Sequence, residues 1–320
     1  MEFKDLFIRE EGFAEKMQSQ VLPLLEENIK DGFFENKDKG MLHYRYIINE
    51  ASDKTLVICH GFCEYALKYS EMIYYFYKMG YSVFILEHRG HGQSVRQVKS
   101  MSKVHVNHFQ DYVDDFHLFM EQIVITKMGE KGLYLLAHSM GGAIGALYLE
   151  QHPDVFEKCV LSSPMIKMST AGVSQIEVEL ILALAKIPFV NKMFVPGQGE
   201  YQGTFDFKGS CMKSQARYTL HHSFREQDTH YRTNGASLRW AAEAFNVSKK
   251  IIKNANFIKI PVILMQASLD DLVDNHYQDI FADKVDSCQL YVFQGAKHEI
   301  FNSLEDNILD YYTRIFDFFG

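Results

Sequence analysis

The chain holds one tryptophan, six prolines and five cysteines in 320 residues. Cys59, Cys63, Cys159, Cys211 and Cys288 are odd in number and form no Cys-x-x-Cys pair, which argues against a disulfide framework or a zinc ribbon. Cys59 and Cys159 sit in apolar runs and read as buried thiols. Long hydrophobic runs are also missing. The longest apolar stretch in the middle of the chain, 180–185, falls far short of the ~20 residues a membrane helix needs. Positive charge is scarce: 33 Lys and Arg face 41 Asp and Glu, a net −8, and the longest basic cluster is Lys249-Lys250. Neither a nucleic-acid partner nor a polybasic membrane anchor fits that balance. Residues 1–10 alternate charge with Phe and Leu and show no apolar signal core, so a cytoplasmic protein is expected, with transient contact at a membrane surface left open. No His-Glu-x-x-His, Walker or dinucleotide pattern occurs, and no metal or cofactor is expected.

What is present is ordinary globular composition, 47% hydrophobic and 23% charged, with 25 Phe and 18 Tyr that suit apolar pockets as well as a core. The length is near the upper end for a single core, which favours one large domain carrying an insertion. Short apolar runs at 55–59, 81–86, 133–137, 159–163, 261–267 and 290–294 read as buried strands, and 41–48 alternates as a half-exposed one. Helical patterns at 65–79, 109–128, 142–151 and 304–319 alternate with them. Continuous apolar strands alternating with helices predict an α/β fold: a mostly parallel sheet covered on both faces. Between 165 and 258 the pattern is helical without a convincing strand. That segment is expected to form an inserted helical cap on a body made of 1–164 and 259–320.

The strongest chemical signal is Ala137-His138-Ser139-Met140-Gly141, placed between a strand and a helix. A serine lifted on a tight strand-to-helix turn needs small neighbours two positions away on each side, and Ala137 and Gly141 are small. A serine nucleophile needs a base. His298 lies just after the last strand and before the last helix. The base needs an orienting carboxylate. Asp270 follows the 261–267 strand and is the preferred acid, with Asp271 its rival, while Asp274 reads as the cap of the next helix. An oxyanion needs amide donors: the N–H of Met140 opens the helix after Ser139, and the N–H of Phe62 follows the turn at Gly61. His60 and Glu64 in that loop are candidate substrate-binding residues. In the cap, His221, His222, Arg225 and Arg232 form a candidate site for a polar head group, since guanidinium forks suit phosphate. The loop at Arg89 is read as a structural one with Arg89 in a buried polar network.

Together His60-Gly-Phe-Cys-Glu64, Glu87-His-Arg-Gly-His-Gly-Gln-Ser94, His138-Ser-Met-Gly-Gly142 and Gly295-Ala-Lys-His298 resemble the α/β-hydrolases of the serine aminopeptidase S33 type, which include monoacylglycerol lipases and lysophospholipases of the L2 type. Val195-Pro-Gly-Gln-Gly199, the His221 to Glu226 run and Gly235-Ala-Ser-Leu-Arg-Trp240 resemble the L2 cap. Ala137 at the first elbow position and Glu87, where Asp is commoner, depart from the family pattern. The resemblance implies Ser139, Asp270 and His298 as a triad, with Phe62 and Met140 as oxyanion donors. It implies a serine ester hydrolase that acts on a small lipid or acyl ester, most readily a lysophospholipid. The alternatives are a monoacylglycerol lipase, a general carboxylesterase, an aminopeptidase, and a catalytically silent binding protein. The oligomeric state stays open.

Overall fold

A computed structural model describes residues 2–170 and 172–320. Eight strands form one sheet: β1 (Lys30–Glu35), β2 (Met41–Ile47), β3 (Thr55–Cys59), β4 (Ser82–Leu86), β5 (Leu133–His138), β6 (Lys158–Ser162), β7 (Val262–Ala267) and β8 (Cys288–Phe293). Their order is β1-β2-β4-β3-β5-β6-β7-β8. The β1/β2 and β2/β4 pairs are antiparallel and every other pair is parallel. Strands β3, β4 and β5 are buried along their whole length, as their unbroken apolar sequences require in a sheet covered on both faces. The first strand has no such signature. Lys30, Asp31 and Glu35 are exposed at the sheet edge and Gly32 interrupts the run, so only Phe34 is buried and no alternation was legible.

The main helices are α1 (Ser70–Lys78), α2 (Gln110–Phe119), α3 (Met140–Gln151), α4 (Gln175–Leu184), α5 (Gln215–Gln227), α6 (Leu238–Asn254), α7 (Asn275–Lys284) and α8 (Glu305–Phe319). Successive strand residues point to opposite faces. Val57, Leu135, Leu161 and Leu264 therefore enter a core shared with α2, α3 and α6, through Phe116, Ile144 and Ala244. Ile58, Leu136, Val160 and Ile263 enter the opposite core with α1 and α8, through Ile73, Phe76 and Tyr312. Phe3, Phe13, Met17 and Val21 of the amino-terminal segment also join that second core. Asp274 caps α7 by accepting from the His276 N–H.

Between β6 and β7 the chain builds α4, α5 and α6. Helix α6 buries Trp240, Ala241, Ala244, Val247 and Ile251 in the core beside the sheet, so it is the crossover that returns the chain to the parallel strand β7. Helix α4 buries Val178 and Ile181 while Ile176 is 78% exposed and Leu180 is exposed, so its apolar surface is only half covered. Among the described residues no helix is long and apolar enough to cross a membrane.

Helix α5 is held by the amino-terminal segment. Arg217 is fully buried. Its guanidinium donates to both oxygens of Glu71 on α1 (2.9 and 2.6 Å), to Glu10 (3.2 Å) and to the Ile8 carbonyl (2.9 Å), and it covers the Phe13 ring. Glu10 also accepts the Ala216 N–H in the first turn of α5 (2.8 Å), where a carboxylate complements the positive end of the helix dipole. Removing one partner of a buried ion pair strands the other, at about 3–5 kcal/mol. Arg217→Met should therefore lower the stability measured by urea unfolding by that amount. A change below about 1 kcal/mol, the size of an exposed pair, would contradict the buried network.

Candidate active site

The site starts from the turn between β5 and α3. Ser139 has φ 54° and ψ −118°, a region that residues with a side chain rarely occupy. The surroundings enforce it. The Ser139 N–H donates to the Ser162 carbonyl (3.1 Å) and the Ser139 carbonyl accepts from Met165 N–H (2.8 Å). A Cβ at Gly141 would lie 2.1 Å from the Cys59 carbonyl oxygen, and one at Gly142 would lie 2.5 Å from Pro164, so only glycine lets α3 approach the end of β3 and the segment after β6 this closely. The small Ala137 two residues before the serine faces Gly145 across the turn.

The two partners come from the loops after β7 and β8. His298 Nε2 is 2.7 Å from Ser139 Oγ, and His298 Nδ1 is 2.7 Å from Asp270 Oδ2. The second oxygen of Asp270 accepts from the Leu272 and Val273 amides at 3.0 and 3.2 Å, which fixes the carboxylate. Asp271 is exposed and lines a neighbouring cavity. Burial alone would pull His298 below its usual range. The hydrogen bond and charge of Asp270 outweigh that, with Glu299 and Glu64 adding negative potential, and the net shift is upward. His138 beside the serine is also buried. Desolvation pushes it down to about 4, so at neutral pH it is an uncharged neighbour whose Nδ1–H donates to the Ser162 carbonyl.

Met140 is the first residue of α3, so its N–H is one of the donors left free at a helix start. Phe62 follows Gly61 in the loop after β3. Its ring packs at a tilt against Trp240 of α6, 4.2 Å between centroids, and Cys63 next to it has φ 60°. A Cβ at Gly61 would lie 3.1 Å from the Ser139 Cβ, so this loop passes directly over the nucleophile.

The remaining predicted residues separate. His60 is buried below the loop, donating through Nδ1 to the Gly61 carbonyl and accepting the His88 N–H at Nε2. Glu64 accepts from the Gly61 N–H, the Tyr69 hydroxyl and Lys68. Both are committed to holding the loop, contrary to the expectation that they contact substrate. A cavity of about 580 Å³ opens beside Phe62 and Cys63, and His221, His222 and Arg225 of α5 line it. Arg232 does not line it: its guanidinium donates to the Arg225 and Glu226 carbonyls and so closes the carboxyl end of α5. Lys68 and Glu299 line the cavity and were missed, because an isolated Lys and an acid next to a histidine carry no distinctive spacing. Arg89 is buried against Asp115 and Asp38, as read from its loop.

An eight-stranded, mostly parallel sheet with a strained serine turn and a hydrogen-bonded Ser–His–Asp set defines an α/β-hydrolase with the constellation of a serine hydrolase. A model of the serine aminopeptidase, S33 family matches residues 50–305. Lysophospholipase L2 of Escherichia coli (strain K12) is 31% identical over 255 residues, covering 78% of this chain and 75% of its own. A probable lysophospholipase L2 of Haemophilus influenzae is 30% identical over 295 residues, 92% of each. A soluble variant of monoglyceride lipase from Saccharomyces cerevisiae, solved with a substrate analog, superposes with a TM-score of 0.70 at 20% identity over 91% of this chain and 97% of that one. The chain belongs to the serine aminopeptidase S33 family.

Two outcomes follow from the geometry. Asp270→Asn should lower kcat on the order of 10⁴-fold by leaving the imidazole in the wrong tautomer, whereas Asp271→Asn should stay close to wild type. Exchanged effects would move the acid to Asp271. A base must be neutral to accept a proton, and a raised imidazole pKa means that more alkaline pH is needed to reach that form. The acid limb of kcat/KM should therefore have its midpoint above the ~6.5 of a free histidine. A midpoint below that value would show that burial, not Asp270, governs His298.

Proposed function

We propose that this α/β-hydrolase is a carboxylic ester hydrolase that releases a fatty acid from a single-chain lipid, with a lysophospholipid as the substrate. The observation that carries the reading is the Ser139–His298–Asp270 hydrogen-bonded chain, with both links at 2.7 Å, beside a cavity large enough for a polar head group. His298 Nε2 takes the Ser139 proton as the oxygen attacks the acyl carbonyl. The amides of Phe62 and Met140 receive the oxyanion. His298 then gives the proton to the departing glycerol oxygen, and a water activated by the same nitrogen frees the fatty acid.

The head-group assignment rests on Arg225. Its guanidinium lies 4.0 Å over the Tyr201 ring, and its Nη2 donates to the Thr233 carbonyl. Arg225 also lines the cavity, where a guanidinium fork suits a phosphate oxygen. Both similar lysophospholipases L2 support the same substrate class. Arg232 acts through Arg225, whose carbonyl it holds. Helix α6 is assigned to the body, so the cap spans 165–237 rather than 165–258. Ile176, Leu180 and the 88% exposed Phe189 are exposed apolar side chains on that cap, suited to transient contact with a membrane surface from which a single-chain lipid is taken.

The test is a panel of lysophosphatidylcholine, monoacylglycerol and p-nitrophenyl acetate. Lysophosphatidylcholine should have the highest kcat/KM. Arg225→Ala should raise KM for it by roughly 10-fold or more, the worth of a hydrogen bond between charged groups, and leave monoacylglycerol nearly unchanged. Equal effects on both lipids, or best activity on the acetate ester, would reduce the assignment to a general carboxylesterase.

A further inference from the structure

A buried cation links the two loops that carry the reacting groups. Lys68 lies in the one-turn helix Ala66–Tyr69 after the oxyanion loop, and its side chain is 8% exposed. Its ammonium is 2.8 Å from Glu64 and 2.7 Å from Glu299, both side chains about 4% exposed. Each carboxylate is committed further. Glu64 accepts the Gly61 N–H at 2.6 Å, which fixes the backbone just before Phe62, and the Tyr69 hydroxyl at 2.6 Å. Glu299 follows His298 in sequence. Its carboxylate accepts from Asn302 at 2.7 Å and from the Cys211 thiol at 2.8 Å, and its N–H donates to the Cys211 carbonyl. A continuous path thus runs from the Gly61 amide through Glu64 and Lys68 to Glu299, the residue beside the base.

We propose that Lys68 is a positioning residue: its ammonium ties the loop bearing the Phe62 amide to the loop bearing His298 and sets the separation between oxyanion donor and base. The inference rests on the roles given above to Ser139, His298 and Phe62. A buried ion cluster is a poor source of net stability, because desolvation consumes most of the Coulombic gain. What it supplies here is a fixed geometry between segments far apart in sequence. The reaction needs that geometry, since the oxyanion must meet its donors while Nε2 stays within reach of both Ser139 Oγ and the leaving oxygen. A misplacement of about 1 Å costs on the order of 100-fold in rate. Cutting the bridge should therefore act on kcat, and act alike on esters that differ in their head groups.

The experiment measures kcat and KM for p-nitrophenyl butyrate and for lysophosphatidylcholine with wild type, Lys68→Arg, Lys68→Met and the double variant Lys68→Met/Glu299→Gln. The single Met variant leaves two facing carboxylates without a cation and is the one most prone to misfold. The double variant restores the cluster's original net charge with the bridge still cut, and its thermal melt and near-ultraviolet circular dichroism establish that it folds. Positioning requires the double variant to lose kcat on the order of 100-fold on both esters with KM little changed. It also requires Lys68→Arg, which can still span both carboxylates, to recover most of the loss. A double variant with wild-type kcat would overturn the proposal in favour of charge balance alone. A loss confined to lysophosphatidylcholine would overturn it by making Lys68 a head-group contact. Wild-type protein inert on both esters would instead remove the hydrolase assignment, and this inference with it.

Discussion

The arrangement depends on one backbone conformation, that of Ser139. A residue with a side chain at φ 54°, ψ −118° costs on the order of 1–3 kcal/mol and persists only where its neighbours leave no alternative. Here the constraint comes from the sheet. The register of β5 on β3 sets Ala137 against Cys59, and that of β5 on β6 sets His138 against Ser162. The next residue has to turn upward where the Ser162 carbonyl takes its N–H, and α3 leaves over Gly141 and Gly142, pressed onto the Cys59 carbonyl and Pro164. The same turn presents the hydroxyl and aims the first amides of α3 at the space in front of it. The placement of the Ser139 hydroxyl and the direction of the first α3 amides are therefore one geometric fact.

Around that turn, buried charge is used to fix loops. Glu87 accepts the Ala66 and Gln93 amides and pairs with His43, whose imidazole is raised to about 9: burial opposes the charge, but hydrogen bonds to Asp31 and Glu87 prevail. Glu64 and Glu299 share Lys68, and Arg217 joins α5 to the amino-terminal segment. Each network ends on backbone amides or carbonyls of a loop at the site or on the cap. The negative members nearest His298 also hold its proton affinity up against burial.

The strands, the turn at Ser139 and the placing of Asp270 and His298 beside it were legible because their signals are local. An unbroken apolar run, a small-x-Ser-x-small turn and a loop after a strand each mark their own position. Asp270 and Asp271 could be ranked by sequence but separated only by geometry, in which Asp270 bonds His298 while Asp271 lines the cavity. What was not legible depends on long-range contact. Strand β1 is a charged edge with one buried side chain. Helix α6 looked like cap because it follows cap in sequence, although its alanines and Trp240 pack beside the sheet. His60, Glu64 and Arg232 carry the residue types of a binding site, yet their polar atoms bond neighbouring backbone and, for Glu64, the Lys68 and Tyr69 side chains. The amino-terminal segment showed no motif, and its part in holding α5 arises only where Glu10 meets Arg217 across the fold.

The central claim is that Ser139 becomes covalently acylated during turnover. Mixing the enzyme with lysophosphatidylcholine, quenching in acid within the first turnover and digesting for mass spectrometry tests it directly. The account predicts one fatty-acyl mass on the peptide containing Ser139, lost together with activity in Ser139→Ala. Undiminished turnover by Ser139→Ala, with no acyl-peptide at any quench time, would contradict it.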